Sequence, residues 1–342
     1  MGVSLKQIAE RLNLSIATVS WTLNDLGDKK NISRKTQERV RQCAREMNYK
    51  PNLLARGLNT GKSSILGLII PDITDAFYST MARRIEKEAE RAGYSLMICN
   101  SDSSQAQEDR MLTMFLSKQV DGIIIAPTKL SRNKILKLQE YGYPIVTFDR
   151  VFEDANINSV VVDNFEASYN IVNSMVRHGA RHIAIITTNQ YLYTMNLRYM
   201  GYKAALEENG LQVVESLMAD IPFNNYEKNI IDALDSIYRH EPKVDGFFFT
   251  THILALEAFR YFFDHQININ DGYQLGCIHA IPALRILCPS MRIAMMPVDE
   301  IGTNTVRIVT ECIDTKKQGI KRTVEKVVCK CSYTDADNLE NE

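Results

Sequence analysis

Residues 5–24 read LKQIAERLNLSIATVSWTLN, and this stretch decides how the amino end of the chain folds. Its first half carries apolar residues at helical spacing from Leu5 to Leu12, which predicts a short amphipathic helix. Ser15 follows at an N-cap position, because its hydroxyl can accept from backbone N–H groups two or three residues on. Val19 and Leu23 give the second helix an inward face. Two short helices with a tight turn predict a helix-turn-helix, whose second helix fits the major groove of DNA.

The outward face of this second helix carries small or hydrogen-bonding side chains and one indole. A third helix with basic side chains is predicted to begin after Ser33. We expect DNA contacts from Ser15, Ile16, Ala17, Thr18, Ser20, Trp21, Asn24 and Arg34. Residues 1–62 hold 12 Lys and Arg against 5 Asp and Glu, whereas the remainder of the chain holds 28 against 36. A basic head on an acidic body favours a polyanionic partner for the head.

The composition of the 342 residues, 45% hydrophobic and 24% charged, is that of a globular protein large enough for several lobes. No apolar run reaches the roughly 20 residues that span a bilayer, so no membrane partner is predicted. The amino end has no apolar leader region. The seven cysteines form no CxxC pair, which favours reduced thiols. Together these features predict a cytoplasmic protein.

From residue 63 onward, short apolar runs that end in turn residues alternate with segments of helical spacing. ILGLIIP, YSLMICN, DGIIIAP and PIVTFD form a first set, and SVVVD, HIAIITT and DGFFFT form a second. This rhythm is typical of parallel βαβ units, and its restart after Asp149 predicts two similar α/β lobes. We expect residues 291–333 to return a strand and a helix, Val298–Lys317, to the first lobe.

Doubly wound sheets bind ligands beyond the carboxyl ends of their strands, so the residues just past each strand are candidates for a cleft. They include Asp75, Phe77 and Tyr78 after the first strand, Asp149 after the fourth, and later His252 and His279. Each of them alone is better explained as a turn residue or a helix cap. The collection of aromatic faces and polar groups favours a site for a small metabolite such as a sugar.

The runs IAERLNLSIATVSWTLN, ISRKTQERVRQCAREMNYKPNLLARGL and SSILGLIIPDI resemble the amino end of the lactose/galactose repressor family. The resemblance extends through nearly the whole chain. It implies an all-α helix-turn-helix head (1–50), a hinge (51–62) and an α/β body (63–342) like the two-lobed periplasmic binding proteins, with parallel doubly wound sheets. The first lobe would take about 63–160 and 291–333, and the second about 161–290.

The resemblance also implies roles for particular residues. The hinge segment would fold as a helix on operator DNA in a homodimer, with Leu58 wedged into the minor groove and Ala55 packed against the partner hinge. The family element R-x-x-G-[FY]-x-x-A appears here with Arg198 in first place, which makes Arg198 the strongest single candidate for contact with a small-molecule effector. The implied function is a transcriptional regulator that binds double-stranded operator DNA. A carbohydrate-derived metabolite would control its operator affinity, and the family implies repression rather than activation.

Three positions depart from the family pattern. His252 stands where many members have an aspartate, and His279 replaces an aspartate that often binds sugar hydroxyls. Either the effector is therefore anionic, or the site no longer binds a sugar. Trp21 stands where many members have an arginine that reads guanine. Trp21 either contacts DNA and changes the operator, or packs against the third helix or the hinge.

Motifs of other classes of protein are missing from the sequence. No GxGxxG after a strand, P-loop or GxSxG elbow occurs, and no metal-ligand pair is predicted. We therefore expect no catalytic residues, no cofactor and no metal. The competing class is a solute-binding protein without a DNA function, and an enzyme of doubly wound fold is third.

Overall fold

The computed structural model describes residues 3–49, 62–153, 155–222, 225–320 and 322–334. The chain divides into two compact units, Met1–Ser63 and Ser64–Glu342, called here the head and the body. Most of the predicted hinge, including Ala55 and Leu58, lies outside the described residues.

Three helices form the described part of the head: α1 (Leu5–Leu12), α2 (Ile16–Leu23) and α3 (Arg34–Glu46). A serine caps each of them, because its hydroxyl accepts from a backbone N–H in the first turn. Asn13 ends the first helix in the left-handed conformation, at φ 54°. This residue reverses the chain and makes the tight turn between α1 and α2.

The interior of the head is a small apolar cluster. Its fully buried members are Ile8, Ala9, Val19, Val40, Cys43 and Ala44. Each helix supplies one stripe to this cluster, so the opposite face of α2 is left for contacts outside the head. The loop before α3 is fixed by Gln37, whose Nε2 donates to Asp28 Oδ1 (2.8 Å) and to the Ile32 carbonyl (2.9 Å).

The described residues of the body form two six-stranded sheets. The first has the order β11-β5-β4-β3-β1-β2 and is parallel throughout. Its strands are β1 (Ile65–Ile70), β2 (Ser95–Asn100), β3 (Gly122–Ile125), β4 (Ile145–Phe148), β5 (Ser159–Val162) and β11 (Lys326–Cys329). The order reverses at β1, whose neighbours are β2 on one side and β3 on the other.

The second sheet has the order β12-β10-β9-β8-β6-β7, and only β12 runs antiparallel to its neighbour. Its strands are β6 (Ile183–Thr187), β7 (Met218–Asp220), β8 (Gly246–Phe249), β9 (Gln274–Ile278), β10 (Arg292–Met295) and β12 (Ser332–Thr334). Here the order reverses at β6. The two lobes therefore repeat one topology, and each is expected to bind ligands where its strand order reverses.

Helices connect the strands and cover both faces of the sheets. In the first lobe they are α4 (Ala76–Arg91), α5 (Gln105–Ser117), α6 (Arg132–Glu140) and α12 (Val298–Lys317). In the second lobe they are α7 (Asn164–Arg177), α8 (Tyr193–Glu208), α9 (Tyr226–His240), α10 (His252–Asp264) and α11 (Pro282–Leu287). Among the described residues, no helix is long and apolar enough to cross a membrane.

The predicted lobe boundaries need two corrections. Helix α12 packs on α4 and β4 in the first lobe, as expected for its return there. The strand Arg292–Met295, however, pairs in parallel with β9 and belongs to the second sheet, so the range 291–333 is not one piece of the first lobe. The pattern of apolar residues identifies a buried strand but carries no information about which sheet receives it. In addition, β5 extends the first sheet to Val162.

Helices α7 and α8 pack closely because Gly201 lies at their contact. A Cβ atom at this position would meet the Phe165 carbonyl oxygen at 2.3 Å and Ser168 Cβ at 2.9 Å. Backbone atoms cannot move aside as a flexible side chain can. The glycine is therefore required for the close approach of the two helices that carry Arg198 and its partner Asn164.

We predict that Gly201→Ala lowers the free energy of unfolding by about 1 to 3 kcal/mol, the range of overpacked sites. Alanine is the better helix former by about 1 kcal/mol, so steric overlap has to outweigh that gain. Urea unfolding followed by circular dichroism measures the change. Lys203→Ala, on the exposed side of the same helix, is the control and should stay within about 0.5 kcal/mol of the parent. An unchanged or raised stability of Gly201→Ala would contradict the prediction.

Candidate functional site

A cavity of about 570 Å³ opens between the two lobes, at the carboxyl ends of β1 and β6. Its polar lining residues include Asp72, Asp102, Ser103, Arg150, Thr188, Asn189, Tyr191 and Thr251. Its apolar lining residues include Pro71, Leu192, Met195, Pro222, Ile253, Ile278 and Met296. This volume falls in the usual range of small-molecule sites.

All seven residues predicted to contact an effector line this cavity: Asp75, Phe77, Tyr78, Asp149, Arg198, His252 and His279. The first lobe supplies four of them, from the start of α4 and the loop after β4. The second lobe supplies the other three, from α8, the start of α10 and the loop after β9. The structure thus brings the predicted set together across the lobes, and their contact with an effector stays a prediction.

Asp75 and His252 touch across the cleft. Asp75 caps α4, where its Oδ1 accepts from the Phe77 N–H (2.8 Å), and the same oxygen lies 3.4 Å from His252 Nε2. Burial raises the pKa of Asp75 to about 6 and lowers the pKa of His252 to about 4. Both shifts disfavour the charged form. At neutral pH the contact is therefore a carboxylate facing a neutral imidazole rather than an ion pair.

His279 extends this contact. Its ring lies edge-on to Phe77 (5.3 Å between centroids) and to His252 (5.2 Å), so two imidazoles and one phenyl ring form an aromatic corner. Its backbone is left-handed, at φ 60°. Burial lowers the pKa of His279 to about 4, and its buried Nδ1 meets no hydrogen-bond partner within the described ranges. A buried polar atom without a partner suits a ligand hydroxyl or other polar group.

Arg198 is the most buried cation of the cavity, with 4% of its surface exposed. Its Nε donates to Asn164 Oδ1 (2.7 Å), and its Nη1 donates to the Thr250 carbonyl (2.6 Å). Both acceptors are neutral, and burial lowers the pKa of the guanidinium. The positive charge therefore has no carboxylate bonded to it among the described residues. A ligand with acceptor oxygens would compensate this desolvation.

On the side of the first lobe, the Tyr78 hydroxyl donates to Asp149 Oδ2 (2.6 Å). Burial raises the pKa of Tyr78 well above its ordinary range, so the phenol stays protonated. Asp149 has a left-handed backbone, at φ 60°, which aims its side chain back into the cleft. Arg150 follows, and its Nη1 donates to Ser103 Oγ (3.3 Å).

The structure adds residues to the cavity that the predicted set did not contain. Asp102, Ser103 and Asn189, like Asp149 and His279, are non-glycine residues with positive φ. Such conformations cost free energy and cluster at functional sites. A sequence signal existed for these residues, because all of them lie in loops directly after strands.

The predicted DNA-contacting residues of the head are all exposed or half-buried. Ser15, Ile16, Ala17, Trp21 and Arg34 are exposed, and Thr18, Ser20 and Asn24 are half-buried. Thr18 N donates to Ser15 Oγ (3.0 Å), so this serine both caps α2 and lies at its exposed start. Asn24 Nδ2 donates to the Ser20 carbonyl (2.8 Å) and so is committed to the helix end.

Trp21 is 37% exposed and does not belong to the apolar cluster of the head. Its ring lies 5.2 Å from Lys30 Nζ, in the loop between α2 and α3. A cation over an indole face is a stabilising contact. The described residues therefore do not support packing of Trp21 against α3. The alternative contact of Trp21 with the hinge involves residues outside the described ranges.

A fold of two doubly wound lobes with a cleft, joined in sequence to a helix-turn-helix head, defines a ligand-responsive DNA-binding protein. Residues 63–256 match the family model described as periplasmic binding proteins and the sugar binding domain of the LacI family. Residues 4–52 match the model of bacterial regulatory proteins of the lacI family. The chain belongs to this family, whose members are DNA-binding transcriptional regulators controlled by sugar effectors.

Relatives with this organisation cover almost the whole chain. Catabolite control protein A of Priestia megaterium is 28% identical over 91% of this chain and 92% of its own length. The ribose operon repressor of Halalkalibacterium halodurans is 27% identical over 99% of both chains. The structure of the transcriptional regulator CelR with cellobiose superposes with a TM-score of 0.69 at 19% identity, over 97% of this chain and 98% of that one. The structural likeness supports the fold.

The buried carboxyl of Asp75 gives a prediction about pH. Its pKa is raised from 3.8 to about 6, so its contribution to stability is present below about pH 4 and is lost as the pH rises through 6. Asp75→Asn removes the buried charge. We therefore expect it to raise the free energy of unfolding by roughly 1 to 3 kcal/mol at pH 7.5 and by about half as much at pH 5.

Urea unfolding at the two pH values measures this difference. Glu90→Gln is the matched control, because it removes an exposed carboxyl from the same helix, and it should show no such pH dependence. An equal effect of Asp75→Asn at both pH values would show that the carboxyl of Asp75 is not destabilised by burial.

Proposed function

We propose that this protein is a homodimeric, cytoplasmic repressor that binds a palindromic operator through its head and a carbohydrate-derived effector through the cleft of its body. The single observation that carries the proposal is the pairing, in one chain, of an exposed recognition-helix face with a polar cavity between two lobes. We further propose that the protein has no enzymatic role.

The recognition helix of the proposal is α2. Its first turn would enter the major groove, where Ala17, Thr18 and Ser20 are short enough to let the backbone approach the bases. Arg34, at the exposed start of α3, would neutralise a phosphate. The excess of basic over acidic residues in 1–62 supports this orientation of the head toward DNA. The roles of Leu58 and Ala55 in a hinge helix stay predictions.

The effector side of the proposal rests on the chemistry of the cleft. Asp75 and Asp149 can accept from hydroxyl groups, and Arg198 can donate to them. Phe77 and Tyr78 offer ring surfaces, which suit the apolar face of a sugar ring. At neutral pH, His252 and His279 are uncharged and can donate or accept.

Dimerisation through the first lobe is part of the proposal. Strand β2 is an edge strand of the first sheet with Ile98 exposed, and α4 beside it exposes charged residues. An effector that binds one arrangement of the lobes better than another would change how two heads meet two half-sites. A tenfold change in operator affinity requires about 1.4 kcal/mol of such coupling.

We predict that Trp21→Arg changes the preferred operator sequence, because an arginine can read guanine where an indole cannot. Selection of duplexes from a random pool, followed by sequencing, measures the change. The control is Arg34→Ala, which should weaken binding to all duplexes alike and lower the salt dependence by about one phosphate contact. An unaltered preference in Trp21→Arg would remove Trp21 from the base-reading face. Absence of any preferred duplex for the parent protein would favour the solute-binding class instead.

We predict that Arg198→Met abolishes the response to effector while the free protein still binds its operator. Methionine keeps much of the volume of the side chain and removes the charge that acceptor oxygens of a ligand would meet. Thermal unfolding with a panel of sugars reads binding as stabilisation, and a gel shift reads DNA affinity. Arg181→Met, at the opposite end of β6 from the cleft, is the control. A ligand response equal to that of the parent would put the effector elsewhere.

A further inference from the structure

A second cavity of about 320 Å³ adjoins the first. The two cavities share Arg150, Tyr191 and Leu192, so a ligand can extend from one into the other. The first lobe contributes the segments after β3 and β4 to the second cavity, and the second lobe contributes the loop after β6 and the start of α8. The additional lining residues are Pro127, Lys129, Arg132, Val151, Phe152, Glu153, Gln190, Tyr193, Thr194 and Asn196.

The second cavity is rich in positive charge. Lys129, Arg132 and Arg150 line it, against the one carboxylate of Glu153. Within the described ranges, the side chains of Lys129 and Arg132 form no ion pair or hydrogen bond with other residues. Arg150 donates a long bond to Ser103 Oγ (3.3 Å), and it also interacts with Tyr78 and with the carboxylate of Asp149. Lys129 and Arg132 thus line the cavity without a charged partner among the described residues, and such cations favour an anionic ligand group.

The loop with two of these cations is held in place by a buried acid. Glu108 is fully buried on α5, and its Oε2 accepts from the Thr128 N–H (2.9 Å). Thr128 Oγ1 and Ser131 Oγ are hydrogen-bonded to each other (3.2 Å). These bonds fix both ends of the single 3-10 turn Lys129–Ser131, directly before Arg132. Lys129 and Arg132 therefore project from an ordered segment, which lowers the entropy cost of binding.

The opposite wall of the second cavity is the amino end of α8. This helix has 16 residues, no acidic residue in its first turn, and an N-cap, Leu192, that makes no side-chain hydrogen bond. The first-turn N–H groups, at Tyr193 and Thr194, thus remain without a capping side chain. Such a helix end carries partial positive charge and binds anions. It therefore adds to the attraction of the three cations for an anionic ligand group.

The first cavity differs in character. Four carboxylates line it, from Asp72, Asp75, Asp102 and Asp149, against the two cations Arg150 and Arg198, together with the rings of Phe77 and Tyr78. Carboxylates beside aromatic rings suit neutral hydroxyl groups, and they repel an anion. The lining of the first cavity is therefore mainly polar and acidic, and the charged lining of the second cavity is mainly cationic. Arg150 lines both.

We propose that the effector is an anionic sugar derivative, whose ring occupies the first cavity and whose phosphate or carboxylate occupies the second, against Lys129, Arg132 and Arg150. This inference rests on the proposed function, because it names the class of ligand of the same cleft. Lys129 and Arg132 set the preference for the charged ligand over the neutral sugar.

Isothermal titration of the full-length protein tests the proposal with matched ligands. The neutral members are glucose, ribose and fructose. Each is paired with its phosphate ester (glucose 6-phosphate, ribose 5-phosphate, fructose 6-phosphate), and glucuronate is added as a sugar acid. We expect at least one anionic member to bind about tenfold or more tightly than its neutral counterpart, which is the scale of a charge-assisted hydrogen bond. Tighter binding of a phosphate ester identifies phosphate as the anionic group, and tighter binding of glucuronate identifies carboxylate.

The double variant K129Q/R132Q should lose that preference, with affinity for the anionic member reduced about tenfold or more and affinity for the neutral sugar unchanged. Lys137→Gln is the matched control, because Lys137 is exposed on the same helix as Arg132 and does not line either cavity. It should keep the preference of the parent. Circular dichroism of the unliganded variants verifies that all of them are folded.

Three results would overturn the proposal: equal affinity for neutral and anionic members, a preference retained in K129Q/R132Q, or no binding of any anionic member. Operator binding without ligand is measured in parallel by gel shift. Loss of the ligand preference with operator binding intact refutes only the anionic effector. Absence of operator binding refutes the proposed function, whatever the ligand results are.

Discussion

The contact of Asp75 with His252 joins the two lobes of the body, and the chemistry of the cleft depends on it. It exists because parallel strands place their carboxyl ends at one edge, where the helix starts of both lobes come together. Asp75 caps α4, and His252 is the first residue of α10. Each side chain thus has a local role in its own lobe and a second role across the gap. The buried carboxylate is destabilised there, and a ligand that donates to it would relieve that cost.

The same region shows how desolvation organises a site. Arg198, Asp75 and the two histidines are all shifted toward their neutral forms by burial. The protein gives Arg198 neutral acceptors instead of a carboxylate, so the charge of the guanidinium is left for an incoming group. A closed ion pair would have stabilised the empty cleft and competed with the ligand. The arrangement favours binding over the stability of the free protein.

Much of this structure could be predicted from the sequence, for identifiable reasons. The helices of the head follow from apolar spacing and from the serine caps predicted at positions 15 and 33, and the structure adds a third cap at Ser4. The cleft residues follow from their positions after strands, and Arg198 came from the family resemblance. The sheet that receives β10 could not be predicted, because pairing partners depend on tertiary contacts. The second cavity was missed for the same reason, since Lys129 and Tyr193 meet only in the folded chain.

Neither lobe of the body is continuous in sequence. Strand β11 near the carboxyl end pairs with β5 in the first lobe, and the short β12 then closes the edge of the second sheet. During synthesis, both sheets remain incomplete until residues 326–334 have been made, far along the chain from the first strand of each lobe. Contacts this distant in the chain slow folding and leave apolar strand edges uncovered for longer. Loss of residues 326–334 would therefore remove an edge strand from both sheets at once.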